Sequence, residues 1–216
     1  SQSNSAIAMG LFTAFDSQGE NAIAMGTNAG RNSQSNSAIA VGLQAGETYQ
    51  GDNSIAMGRI AGQASQDEYS IAIGFGAGRN AQRRDSIAIG FEAGRNTQGN
   101  NSIAMGRVAG QTSQGDFSIA LGNEAGNFSQ GNNTIAIGTE AGKISQGTNA
   151  VAIGISSGNI SQSADAIAIG FRAGQSSQGL ASVAIGVDSG KTSQDERSVA
   201  IGYRAGELSQ NEASIA

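Results

Sequence analysis

The chain has 216 residues, of which 33 are Gly and none is Pro, Cys, His or Trp, and its formal net charge is −5. Without Cys a disulfide framework is impossible, and without Cys or His the usual zinc, haem and iron–sulfur ligands and histidine acid–base chemistry are lacking. The weakly acidic balance argues against nucleic-acid binding, and the absence of a long apolar run argues against direct membrane insertion.

A repeat of 16 residues governs the whole chain. Its first large apolar residue recurs at every sixteenth position from Ile7 to Ile215 without insertion or deletion, which gives thirteen full periods and eight further residues. We number the repeat positions 1 to 16 from Ser1. All 29 charged residues fall at positions 3, 4, 5, 11, 12, 15 and 16, which predicts that these seven positions face water and that the other nine are buried or packed. Residues 1–216 are therefore expected to form one repeat array of 13.5 coils, and the lack of capping coils suggests a fragment of a longer fibrous protein.

Position 2 is Gln in every copy, from Gln2 to Gln210. Stacked amides are able to pass hydrogen bonds from coil to coil, so this row predicts a buried glutamine ladder; a repeated polar binding stripe is the alternative. The proposed ladder includes Gln34, Gln50, Gln66, Gln82, Gln98, Gln114 and Gln130.

Positions 6 to 10 predict a short strand, because Ile-Ala-Ile alternation is followed by Gly. Sixteen residues hold two short strands and two turns, which is one coil of a parallel β-roll or solenoid. Coils stacked about 4.8 Å apart would form a rod of roughly 65 Å. Positions 7 and 9 are expected to form aliphatic ladders inside the coil, and position 8 lies on the opposite side of the strand.

The invariant Ala at position 8 predicts an oligomer, because a solvent-facing strand position would vary more widely. We expect this row to pack against a neighbouring chain; the alternative is a wider coil in which the alanines face inward against a second strand. The proposed oligomer-packing residues are Ala8, Ala24, Ala40, Ala56, Ala72, Ala88, Ala104 and Ala120.

Position 11 carries a weak candidate interaction stripe, formed by Phe75, Phe91, Phe171 and Tyr203. An exposed apolar stripe rimmed by charges marks an interaction surface, although the edge between two chains would also suit it. The paired charges Asp67–Glu68 and Arg83–Arg84 are expected to be solvated turn residues. No catalytic or metal-binding pattern recurs, so no enzyme activity and no cofactor are predicted.

The SVAIG units that contain Val183–Gly186 and Val199–Gly202 resemble the head-domain repeats of trimeric autotransporter adhesins. The resemblance implies a left-handed parallel β-roll, a homotrimer, a location on a bacterial surface and binding of host matrix or cell-surface components.

The sequence thus favours an extracellular structural or adhesive rod segment on a cell or virion surface, with a host matrix protein or glycan as possible partner. A trimeric virus or phage fibre segment is one alternative. A monomeric β-solenoid that binds ice or glycans is another.

Overall fold

The computed structural model of the chain describes residues 3–216, which form an all-β parallel solenoid. Within these residues every regular element is a short strand, and there is no helix. In chain order the strands are β1 (Ile7–Met9), β2 (Ile23–Met25), β3 (Ser33–Gln34), β4 (Ile39–Val41), β5 (Tyr49–Gln50), β6 (Ile55–Met57), β7 (Ile71–Ile73), β8 (Ile87–Ile89), β9 (Ile103–Met105), β10 (Ile119–Leu121), β11 (Phe128–Gln130), β12 (Ile135–Ile137), β13 (Ile144–Gln146), β14 (Val151–Ile153), β15 (Ile160–Gln162), β16 (Ile167–Ile169), β17 (Ser176–Gln178), β18 (Val183–Ile185), β19 (Thr192–Gln194) and β20 (Val199–Ile201).

The chain divides into two compact units, Ser1–Thr112 and Ser113–Ala216. From residue 3 onward, the first unit has a sheet in the order β1-β2-β4-β6-β7-β8-β9 and a separate pair, β3-β5. The second unit has one sheet in the order β10-β12-β14-β16-β18-β20 and another in the order β11-β13-β15-β17-β19. The 16-residue period runs unbroken through Thr112 and Ser113 in the sequence, so a single array over 1–216 stays a prediction.

The predicted strand at positions 7 to 9 is confirmed, and it pairs in parallel with the same positions of the next coil, as in Ile71↔Ile87. The second strand is less regular. In the second unit it covers positions 16 to 2, whereas in parts of the first unit it shrinks to a bridge such as Gln66↔Gln82. Each coil therefore consists of one regular strand, a second strand that is short or reduced to a bridge, and two turns.

Main-chain hydrogen bonds join each coil to both of its neighbours. The amide of Gly74 donates to the carbonyl oxygen of Met57 in the preceding coil at 2.8 Å, and the amide of Gly78 donates to that of Ala93 in the following coil at 2.9 Å. Because most amides are committed in this way, Pro would remove a bond at nearly every position, which explains its absence.

The interior of each coil is narrow and holds only small side chains and amides. Alanines at positions 8 and 13, such as Ala72 and Ala77, pack together with no exposed surface. The largest fully buried side chains are glutamines. The prediction that positions 7 and 9 fill the interior is wrong, since their side chains keep exposed surface. The interior is tightly filled, because even a Cβ added at Gly78 would lie 3.3 Å from the Cβ of Ala72. The related expectation that all nine charge-free positions are buried also fails, since positions 7 and 9 and most residues at position 1 keep exposed surface.

Candidate functional site

The alanines at position 8 lie inside their own coil, which corrects the prediction that they pack against a neighbouring chain. Strand alternation requires position 8 to oppose positions 7 and 9, and the width of the coil decides which side is inside. Ala8, in the first coil, is exposed. The other proposed packing residues have no exposed surface: Ala24, Ala40, Ala56, Ala72, Ala88, Ala104 and Ala120. The inward orientation, held above as an alternative, is the one observed.

The large aliphatic side chains at positions 7 and 9 lie on the outside of the coil, and we call this surface the aliphatic face. Side chains at position 7 are half-buried from Ile23 to Val199. Those at position 9 are more open, with 37% of Ile73 and 42% of Leu121 exposed. The parallel register stacks Ile on Ile within each unit, as in Ile73↔Ile89. Within each unit these side chains make a continuous apolar surface.

The glutamines of position 2 lie in the interior and bind mainly to main-chain oxygens. The Nε2 of Gln82 donates to the carbonyl oxygen of Ile71 at 2.6 Å and to that of Ser86 at 3.2 Å. The same two bonds recur along the row, so each amide joins the first residue of one strand to the last turn residue before the next strand. Both bonds are made by Gln34, Gln50, Gln66 and Gln98. Gln114 donates to the carbonyl oxygen of Ser118, and Gln130 donates to that of Ile119. Gln2 lies outside the described residues.

Bonds from one glutamine to the next are weaker and less regular. The Nε2 of Gln34 donates to the Oε1 of Gln50 at 3.3 Å, and Gln130 donates to Gln146 at 3.2 Å. The Oε1 of Gln82 has no hydrogen-bond partner and lies beside Gly78. The row therefore fastens each coil internally as well as joining it to its neighbour.

The aromatic residues of position 11 are each covered by an arginine. Phe75 and Phe91 stack with ring centroids 5.2 Å apart, Arg59 lies 5.5 Å from the Phe75 centroid, and Arg107 lies 6.0 Å from that of Phe91. In the second unit, Phe171 and Tyr203 carry the adjacent Arg172 and Arg204 over their rings. The candidate stripe is thus a set of separate cation–π clusters.

Ion pairs join adjacent coils through positions 12 and 15. The Nζ of Lys143 lies 2.7 Å from the Oε2 of Glu124 and 3.0 Å from the Oε1 of Glu140. The hydrogen bond to Glu124, followed by that to Glu140, raises the pKa of Lys143 above its usual value. The Nη2 of Arg172 donates to the Oδ2 of Asp188 at 2.8 Å, and the Nε of Arg172 lies 2.7 Å from the Oδ1 of the same carboxylate. These charges stabilise the stacking of coils.

A small cavity in the first unit lies at the turn before the position 7 strand, and we call it the turn cavity. It measures about 210 Å³ and is lined by Tyr49, Asp67, Glu68 and Arg84. Sequence reasoning treated the charged pairs here as separate solvated turn residues. They converge because positions 1, 3 and 4 of three consecutive coils lie beside one another, a signal that reading the repeat across coils would have supplied.

Residues 3–216 contain no group of three or more Asp or Glu side chains placed to hold a metal ion. The described residues also include no helix long and apolar enough to cross a bilayer.

Comparison with protein families gives one match. Residues 17–30, 50–77 and 177–205 match a family described as the YadA head domain repeat. These segments make up about a third of the chain and include both SVAIG units. No curated protein matches the chain. The predicted resemblance to the head-domain repeats of trimeric autotransporter adhesins is confirmed.

Proposed function

We propose that the chain is a structural and adhesive segment of a bacterial surface adhesin and that it assembles as a homotrimer through the aliphatic face. The observation that carries the proposal is the inversion of the coil, in which alanine fills the interior and Ile, Val, Leu and Met stand outside. A contiguous exposed apolar surface marks an interaction site. The match to head-domain repeats of trimeric adhesins supports two further copies of this chain as the occupants.

Association of the aliphatic faces supplies the large apolar core that a single chain lacks. Within one chain the buried hydrophobic side chains are almost all Ala, so little apolar area is removed from water. Packing Ile71 and Ile73 against their counterparts would add the missing burial. The Ala row, enclosed in its own coil, has no part in this interface.

The family match favours an adhesin on the cell surface over a virus or phage fibre. It also favours the trimer over a monomeric solenoid that binds ice or glycans. The outward turns and the second strand, which exposes Phe128, Ile144 and Ile160 in the second unit, remain open in the proposed trimer. They are the surfaces available to a host matrix protein or glycan.

Sedimentation and adhesion together test this function. The mass of the purified protein measured by sedimentation should be three times the chain mass of 21.6 kDa. Beads coated with the protein should bind immobilised extracellular matrix proteins or cells. The double variant Ile71→Asn and Ile73→Asn should sediment as a monomer, because amide side chains cannot replace the apolar contacts. It should also adhere weakly, since multivalency is lost.

The matched control is Phe117→Asn, which alters an exposed apolar side chain at position 5, outside the aliphatic face. That position is already Asn in neighbouring coils, as at Asn101 and Asn133. The control should remain trimeric. A stable monomer of the unaltered chain would overturn the assembly, and a trimer that binds no matrix component or cell would overturn the adhesive role.

A further inference from the structure

The turn cavity is built from residues that depart from the repeat. Position 1 is Ser in most coils but Tyr49 here, and position 3 is most often Gly but Asp67 here. Position 4 is Asn or Glu in eight of the fourteen copies, and Arg84 is its only cation. The departures that set this turn apart are therefore Tyr49 and Arg84.

We propose that this cavity binds a neutral saccharide unit. The proposal rests on the adhesive function above and assigns that function a ligand class and a site. It depends on the juxtaposition of one exposed aromatic ring, two carboxylates and one guanidinium around a single cavity of about 210 Å³.

The arginine of the cavity is held in place by its surroundings. The guanidinium of Arg84 lies 5.5 Å from the ring centroid of Tyr69. Its Nη2 lies 3.6 Å from the Oε2 of Glu68, and its Nε lies 3.5 Å from the Oδ2 of Asp85. This guanidinium is exposed, with side-chain exposure of 58%, and the ring and the two carboxylates favour one orientation of its N–H donors.

Tyr49 supplies the apolar wall. The residue is 43% exposed, at the start of β5. An aromatic ring offers a flat apolar face and a hydroxyl that both donates and accepts. The face suits the C–H surface of a sugar ring, and the hydroxyl suits the hydroxyl groups at its edge.

The mixed charges of the lining suit a ligand that both donates and accepts hydrogen bonds. The carboxylates of Asp67 and Glu68 outnumber the guanidinium of Arg84, so an anionic ligand would be repelled. A polyhydroxylated neutral molecule is able to donate to the carboxylates and accept from the guanidinium at once. A saccharide combines this pattern of hydroxyl groups with an apolar ring face.

The cavity is independent of the aliphatic face. None of its lining residues stands at position 7 or 9, so assembly through that face leaves the cavity open. A homotrimer would present three copies. Weak single-site binding would then be strengthened by multivalency on a surface that displays many glycans.

Saturation-transfer NMR on the full chain tests the proposal, with lactose, cellobiose and chitobiose as neutral probes. We expect at least one probe to bind. Replacing Tyr49 by Ser, the usual residue of position 1, should weaken that probe's affinity about tenfold. Glu68→Asn should weaken it by a similar factor, because a charged acceptor is lost.

The matched control is Glu196→Asn, the same change at position 4 in a groove of the second unit that has carboxylates but no aromatic ring or arginine. This variant should bind as the unaltered chain does. Far-UV circular dichroism should show that all variants are folded.

Several results would overturn the proposal. They are no binding of any neutral probe, equal losses in Glu68→Asn and Glu196→Asn, unchanged binding in Tyr49→Ser, or tighter binding of a sulfated disaccharide or an oligolysine peptide. Sedimentation of the same samples separates this failure from failure of the proposed function, because a trimer without saccharide binding leaves the assembly intact.

Discussion

At the scale of single residues, glycines at positive φ differ in how closely the rest of the chain surrounds them. Gly90, at position 10, has a φ of +130°, and a Cβ there would lie 2.5 Å from the carbonyl oxygen of Gly106. Position 12 also has positive φ, but it accepts ordinary side chains, as at Asn28 and Glu92 with φ of 56° and 52°. Position 10 is therefore restricted by both backbone conformation and space, whereas position 12 is restricted by conformation alone.

We expect Gly90→Ala to destabilise the chain by about 2 kcal/mol or more, because the new methyl group meets backbone of the next coil and the φ is strained. Gly76→Asn is the matched control at position 12, where a Cβ would have its nearest neighbour 3.5 Å away. It should change stability by no more than about 0.5 kcal/mol. Urea denaturation measures both values. Equal losses in the two variants would contradict the steric explanation.

At the scale of elements, short strands are held by what joins one coil to the next. Each strand at positions 7 to 9 has only three residues, too few for independent stability. The missing stability is supplied by main-chain hydrogen bonds, by buried glutamines and by ion pairs such as Lys143–Glu124. The ion pairs are the part of this set that depends on pH.

The raised pKa of Lys143 predicts a stability loss in alkali. The folded chain holds this proton more tightly than the unfolded chain, whose Lys has the usual pKa of 10.5. Its contribution, about 1 kcal/mol or less for such a partly exposed pair, is therefore complete below that pH and declines as the pH rises through the folded pKa. The difference in unfolding free energy between the unaltered chain and Lys143→Gln should shrink above pH 10.5.

Lys143→Arg is the control for this experiment, because its guanidinium stays charged throughout the range. Its stability relative to Lys143→Gln should not decline in alkali. A difference between the unaltered chain and Lys143→Gln that is the same at pH 8 and at pH 11 would show that the ion pair is not the cause.

At the scale of the whole molecule, the distribution of apolar residues is the reverse of that in an ordinary globular domain. Alanine occupies the interior of each unit, and the larger aliphatic residues form an outer face. Such a chain gains most of its hydrophobic stabilisation when that face is covered. Its stability should therefore be linked to its association.

This linkage predicts a melting temperature that rises with protein concentration. Scanning calorimetry of the unaltered chain from micromolar to submillimolar concentration should show the rise, because association favours the folded state by mass action. The variant with Ile71→Asn and Ile73→Asn should melt at a lower temperature that does not vary with concentration. A melting temperature of the unaltered chain that is independent of concentration would count against assembly through the aliphatic face.

The sequence by itself determined the repeat, the strand at positions 7 to 9 and the resemblance to adhesin head domains. These follow from local periodicity, which is the same in every coil and is legible without coordinates. The need for Gly at position 10 was also legible in outline, because thirteen copies allow no other residue.

Only the tertiary structure decided which side of that strand is inside and which turn residues meet. Strand alternation shows that the side chains of Ala72 and Ile73 lie on opposite sides of the strand, but it does not show which side is inside the coil. That choice depends on the room beside the strand, where a Cβ added at Gly78 would already lie 3.3 Å from the Cβ of Ala72. The turn cavity likewise brings Tyr49 close to Arg84, which follows it by 35 residues. The two residues are about two repeats apart, and the stacking of coils places such residues side by side.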